Sequence, residues 1–199
     1  MNRCGQAAQL EAVCILMKRG KMAKMTNMGP CTENDYLLSF FTREQKKGEP
    51  MPERDKMKEI MLEKWPYKFP FYGRRNASWN IVKISRIEEL EQLWMHKSGE
   101  WLETHGLWRG SNFIKDIAKT AIETNFFNES KNQNTGQYKN YIQWKKTGLK
   151  GQLDGHNKPL LVEEDGHFDI VDGFGRLLPY LSLVYEGIKF YPFKAYFAR

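Results

Sequence analysis

The chain has 199 residues, 41% hydrophobic and 14% aromatic, enough to build a core and to exclude a disordered tail. Its 31 lysines and arginines against 24 aspartates and glutamates give a formal charge of +7, a balance that fits polyanionic partners and plain solubility alike. Cys4, Cys14 and Cys31 stand at no metal-like or framework spacing, which predicts a reducing, cytoplasmic setting; no apolar run approaches the ~20 residues of a membrane span, so no membrane contact is expected.

Residues 1–64 read as an N-terminal extension, partly helical or flexible, rich in methionine and lysine. Met22, Met25 and Met28 each offer a translation start, so no function is built on the first two dozen residues. Helices are expected from about Asn34 to Phe41 and from Pro52 to Lys64, joined by a polar linker, "TREQKKGEPMPERDK". "WPYKFPFYGRRNASW" (65–79) has no helical period. It reads as a loop over the core edge, and its aromatic residues, interleaved with Lys68, Arg74 and Arg75, also suit stacking on bases and holding phosphates.

"NIVKI" (80–84) predicts a strand, followed by a helix with a capping box at Ser85 and Glu88. Ser111 is expected to cap a helix in which Ile114, Ile117, Ala118, Ala121 and Ile122 form a core stripe. "YKNYIQWKKTGLKG" predicts one more helix, stopped near Gly148. "PLLVEE" and "HFDIVDG" then read as a hairpin turning at Asp165-Gly166. Leu177, Leu178, Leu181, Val184 and Tyr185 form a helical stripe ended by Gly187, with Pro179 expected in its first turn. "IKFYPFKAYFA" is a last strand, with Pro192 marking an edge or a bulge.

The corner "DGFGR" (172–176) joins a strand to a helix. Helix entries favour anions, because unpaired backbone N–H groups and the positive end of the dipole meet there. Gly173 and Gly175 permit a sharp turn and a close approach, the amides around Phe174 offer donors, and Arg176 supplies a planar fork for phosphate oxygens. Asp172 is suited to orienting Arg176, to binding a metal through water or to polarising a hydroxyl. Glu163, Glu164 and Asp165 read as a solvated edge, and strand alternation keeps Asp169 and Asp172 from sharing one metal. His96, His105, His156 and His167 have no ligand spacing, so no protein-bound metal is expected.

The order of elements and the segment "KPLLVEEDGHFDIVDGFGRLLPYLSLVYEGIKFYPFKAYFA" resemble the core of the ParB/sulfiredoxin-like superfamily. The match runs from Pro159–Val162 through Phe168, Ile170, Val171, Asp172, Gly173 and Arg176 to a closing strand from Ile188, with "NIVKISRIEELEQL" in the place of the family's first strand. The resemblance implies an α+β fold over 65–199, a small mixed sheet with flanking helices, and a helical insertion at about 95–150 that forms a lid or a DNA-facing surface. It implies that Gly173, Phe174, Gly175 and Arg176 bind a phosphate or nucleotide, that Asp172 and Arg176 are the catalytic candidates, and that a nucleoside triphosphate with Mg2+ is the cofactor. The family is common in bacteriophages and mobile elements.

Three departures narrow these expectations. The loop lacks the cysteine of sulfiredoxins. Many members place a histidine or a second arginine where this chain has Gly175. The helix-turn-helix segment of partition proteins does not follow, so dedicated chromosome partition is not expected. Three readings stay open: a nucleotide- or phosphate-binding domain acting on or with DNA, with or without phosphoryl transfer or hydrolysis; a non-enzymatic DNA-binding module using Arg74, Arg75, Arg109, Lys145 and Lys146; and an interaction protein with a degenerate loop.

Overall fold

A computed structural model describes residues 25–45, 49–64, 77–95, 99–164 and 166–199. The fold is α+β, as the sequence predicts, with a six-stranded mixed sheet in the order β1-β2-β6-β4-β5-β3. The strands are β1 (Thr26–Pro30), β2 (Trp79–Ile84), β3 (Leu93–Trp94), β4 (Leu160–Glu164), β5 (His167–Asp172) and β6 (Phe193–Ala198). The β1-β2, β2-β6 and β4-β5 pairs are antiparallel; β6-β4 and β5-β3 are parallel.

Helices cover both faces. The first layer consists of α3 (Ile87–Glu91), α4 (Gly99–Thr104), α5 (Ile114–Glu123), α6 (Gly136–Thr147) and α7 (Phe174–Tyr185). Ile117, Ala118 and Ala121 of α5, Tyr141 and Trp144 of α6, and Leu177, Leu178 and Leu181 of α7 close over Ile84, Leu161, Ile170 and Ala195 of the sheet. The insertion at 95–150 thus builds the core of this layer. The opposite face carries α1 (Glu33–Glu44) and α2 (Arg54–Lys64), whose Tyr36, Leu37, Phe40, Met57 and Met61 pack on Leu160, Val162, Tyr196 and Ala198.

The segment set apart as an extension therefore gives the sheet an edge strand and the second face its cover. A Thr32–Asp35 capping box starts α1, with Asp35 N–H donating to Thr32 Oγ1 at 3.1 Å and Thr32 N–H donating to Asp35 Oδ2 at 2.8 Å. Such a cap is worth ~1 kcal/mol, whereas each fully buried large apolar side chain contributes about 1.5–3 kcal/mol, so packing fixes α1 in place.

Several local expectations shift. The N-cap of α3 is Arg86, not Ser85, because the buried Glu89, at the third helical position, reaches back to the Ser85 amide at 2.6 Å. The N-cap of α5 is Phe113; Ser111 Oγ instead donates to Asp116 Oδ2 at 2.5 Å. Pro179 is the sixth residue of α7, past its first turn, because the "FGR" corner itself folds into the helix. Pro192 lies just before β6 and is neither edge nor bulge: β6 is an interior strand, where a residue without N–H would break the ladder. Among the described residues no helix is long and apolar enough to cross a membrane.

Candidate functional site

The strand-to-helix corner begins where β5 leaves the sheet. Gly173 is the N-cap of α7, with φ +106° and ψ 2°, a left-handed conformation that side chains resist. A Cβ there would stand 2.7 Å from Pro159 Cβ and 3.1 Å from Arg176 Nη2, so glycine is required on steric grounds as well. Gly175 is different. It lies inside α7, and the nearest atom to an added Cβ is 3.8 Å away, in the Gln137 carboxamide.

The Gly173 carbonyl accepts from the Arg176 and Leu177 amides, both at 2.8 Å, and no side chain caps the helix. The Phe174 and Gly175 amides, which directly precede them, have no acceptor within α7. Phe174 offers the corner its backbone only, since its ring meets Trp101 edge-on at 5.7 Å in the first core layer. Pro179 supplies no N–H to the Gly175 carbonyl four residues before it; Asn140 Nδ2, from α6, donates to that carbonyl at 2.9 Å. A proline that would weaken the helix thereby ties α6 to the corner.

Arg176 folds back on its own strand, with Nη2 3.1 Å from Asp172 Oδ2. A second guanidinium reaches the same oxygen: Arg43 Nη2, at the end of α1, is 2.9 Å from Asp172 Oδ2. Both arginine side chains are only 13% exposed and Asp172 is 11% exposed. Of the three roles open to Asp172, orienting arginines is the one its contacts serve. Burial pulls the Arg176 guanidinium below its ordinary value, and Arg43 adds to that pull against the attraction of Asp172. Burial opposes the Arg43 charge too, but Asp172 and Glu44 outweigh it and hold Arg43 above its ordinary value. The buried Arg176 Nε has no hydrogen-bond partner among the described residues.

The other expected site residues lie apart. Arg74 and Arg75 fall outside the described residues. Arg109 is exposed, 3.9 Å from Glu123 at the end of α5. Lys146 is exposed on the last turn of α6. Lys145 is engaged at the far end of α7: it lies 2.9 Å from Glu186 and donates to Tyr141 Oη at 3.0 Å, which pushes it up to about 12, the Tyr141 bond contributing most. Among the histidines, His105 stacks on Trp101 and His167 on Trp94. No three His, Cys, Asp or Glu side chains converge to hold a metal among the described residues. The corner therefore does not fit a protein-held Mg2+, since its one carboxylate already serves two guanidiniums.

Arg43 and Asn140 were missed by sequence reasoning. Asn140 gives no signal. Arg43 does: Tyr36, Phe40 and Arg43 follow the i, i+4, i+7 spacing of one helix face, so extending α1 by one turn places Arg43 beside the buried rings. Comparison of the chain with protein-family models, curated proteins and solved structures gives no match.

Proposed function

We propose that this protein is a ParB-like phosphate- or nucleotide-binding domain that works on or with DNA. The observation that carries the reading is the desolvated Arg176 guanidinium, with a buried, unbonded Nε, beside the uncapped first turn of α7. A desolvated cation next to amides with no acceptor among the described residues is stabilised by an anion, and a phosphate group matches both the fork and the N–H donors. Among the described residues the corner offers binding groups, so the reading is of capture. A nucleoside triphosphate would bring its own Mg2+ on its phosphates. The formal charge of +7 and the exposed Arg109 and Lys146 support a DNA partner.

Calorimetric titration with CTP, ATP and inorganic tripolyphosphate, with and without Mg2+, tests the reading. Binding by at least one of these is expected, weakened tenfold or more in Arg176→Ala, the loss that removing a charge-assisted hydrogen bond of ~1.5–3 kcal/mol produces. No binding, or binding indifferent to that substitution, overturns it. The exposure of Arg109 and Lys146, away from the tied Arg176, favours the non-enzymatic DNA module as the second reading. It predicts salt-dependent DNA binding that survives Arg176→Ala.

A further inference from the structure

Among the described residues, two guanidiniums meet on one carboxylate oxygen in a mostly buried cluster. Glu44, 2.9 Å from Arg43 Nε, contributes from a side chain 46% exposed to solvent, where the pairing is screened. Arg176 already closes on Asp172 within α7, an i, i+4 contact. Arg43 comes from the other layer, 129 residues away in sequence, and is aligned there by Phe40, whose ring lies 5.0 Å from its guanidinium carbon, and by the His156 carbonyl, to which Nη1 donates at 3.2 Å. Contacts with Phe40, Glu44 and the His156 carbonyl hold this side chain beside a second guanidinium, and a further anion at that point would relieve their mutual repulsion.

We propose that Arg43 is the second anion ligand of the corner, delivered by α1, so that a phosphate-bearing ligand is gripped from both layers of the fold at once. The inference rests on the reading of the corner as an anion site and adds to it the residue and the element. It assigns to the first part of the chain a share in the site: where related loops would carry a second cation at position 175, this fold brings one across the sheet edge. Asp172 then acts as the internal anion that keeps both forks parallel and parted while no ligand is present. A ligand bound between them ties α1 to α7, so occupancy stiffens the docking of α1 on the sheet.

The test uses the full chain and tripolyphosphate as the probe. Arg43→Ala is expected to weaken binding at least tenfold, and Arg43→Lys, which keeps the charge and loses the fork, by less. Lys56→Ala, an exposed α2 position, leaves binding unchanged. Hydrogen exchange of the α1 amides in the unmodified protein is expected to slow when the probe binds. This measurement stands even if Arg43→Ala folds poorly. Binding that Arg176→Ala abolishes while Arg43→Ala and the α1 amides are indifferent overturns this inference and leaves the reading of the corner standing. No binding to the unmodified protein overturns both.

Discussion

The two ends of α7 are built from the same kinds of group and are finished in opposite ways. At the C-terminal end every device closes. The Gly187 amide donates to the Val184 carbonyl and the Ile188 amide to the Leu183 carbonyl, both at 3.0 Å, with Gly187 at φ +94°, the paired bonds of a Schellman motif. Glu186 accepts from Tyr141 Oη at 2.5 Å and from Lys145 at 2.9 Å. At the N-terminal end, among the described residues, no side chain caps the helix, two cations share one oxygen, and Arg176 Nε has no hydrogen-bond partner. Stability alone is served by closing both ends. On the proposed reading the unfinished end is the one that takes a ligand, and Lys145, which composition offers to a polyanion, is spent at the finished one.

Substitutions at the two ends separate these roles, and the largest effect belongs to the corner. Gly173→Ala forces a side chain into a left-handed backbone and against Pro159, and is expected to cost about 2–4 kcal/mol, read as a lowered urea midpoint at unchanged slope. Gly175→Ala in the same assay should be near neutral, since its Cβ meets only ordinary contacts. A comparable loss at both glycines would break the distinction drawn between them. Next in size is Asn140→Ala, which leaves the Gly175 carbonyl without its donor and should cost ~1–2 kcal/mol. If stability holds, Pro179 is tolerated in α7 for some other reason.

The smallest effects belong to the finished end. Tyr141→Phe should lose ~1 kcal/mol and Lys145→Met, half in solvent, less than ~0.5 kcal/mol, with tripolyphosphate affinity unchanged in both. The pH dependence has a definite sign. Lys145 is raised from 10.5 to about 12, so its share of stability is whole below pH 10.5 and is lost as pH rises through about 12. A carbon-13 titration of the Lys145 side chain should show a midpoint near 12 that falls toward 10.5 in Tyr141→Phe, the Tyr141 bond being the largest cause. An unmoved midpoint would mean that Glu186 alone holds the lysine.

Periodicity and punctuation were legible along the chain. The α5 stripe, the stop of α6 at Gly148, the hairpin of β4 and β5, the stripe of α7 and its end at Gly187 all follow from neighbours within a few residues, where the helical period and the freedom of glycine decide. The corner was legible for the same reason, because Asp172, Gly173 and Arg176 fall within five residues. The helix caps were less so: Ser85 and Ser111 offered side-chain caps, but the buried Glu89 accepts from the Ser85 amide and the half-buried Asp116 accepts from the Ser111 hydroxyl.

By itself, then, the sequence determined the kind of most of the longer elements, the α+β class and the shape of one glycine corner, since these depend on backbone sterics and on short-range alternation of apolar and polar groups. Only the tertiary structure decided that α1 and α2 cover the second face of the sheet, that Asn140 takes the carbonyl Pro179 leaves bare, and that Arg43 meets Arg176 on Asp172. Such pairings join residues 35 and 129 positions apart, and no local preference encodes them: they arise when hydrophobic burial stacks two layers on one sheet and brings their polar edges within reach.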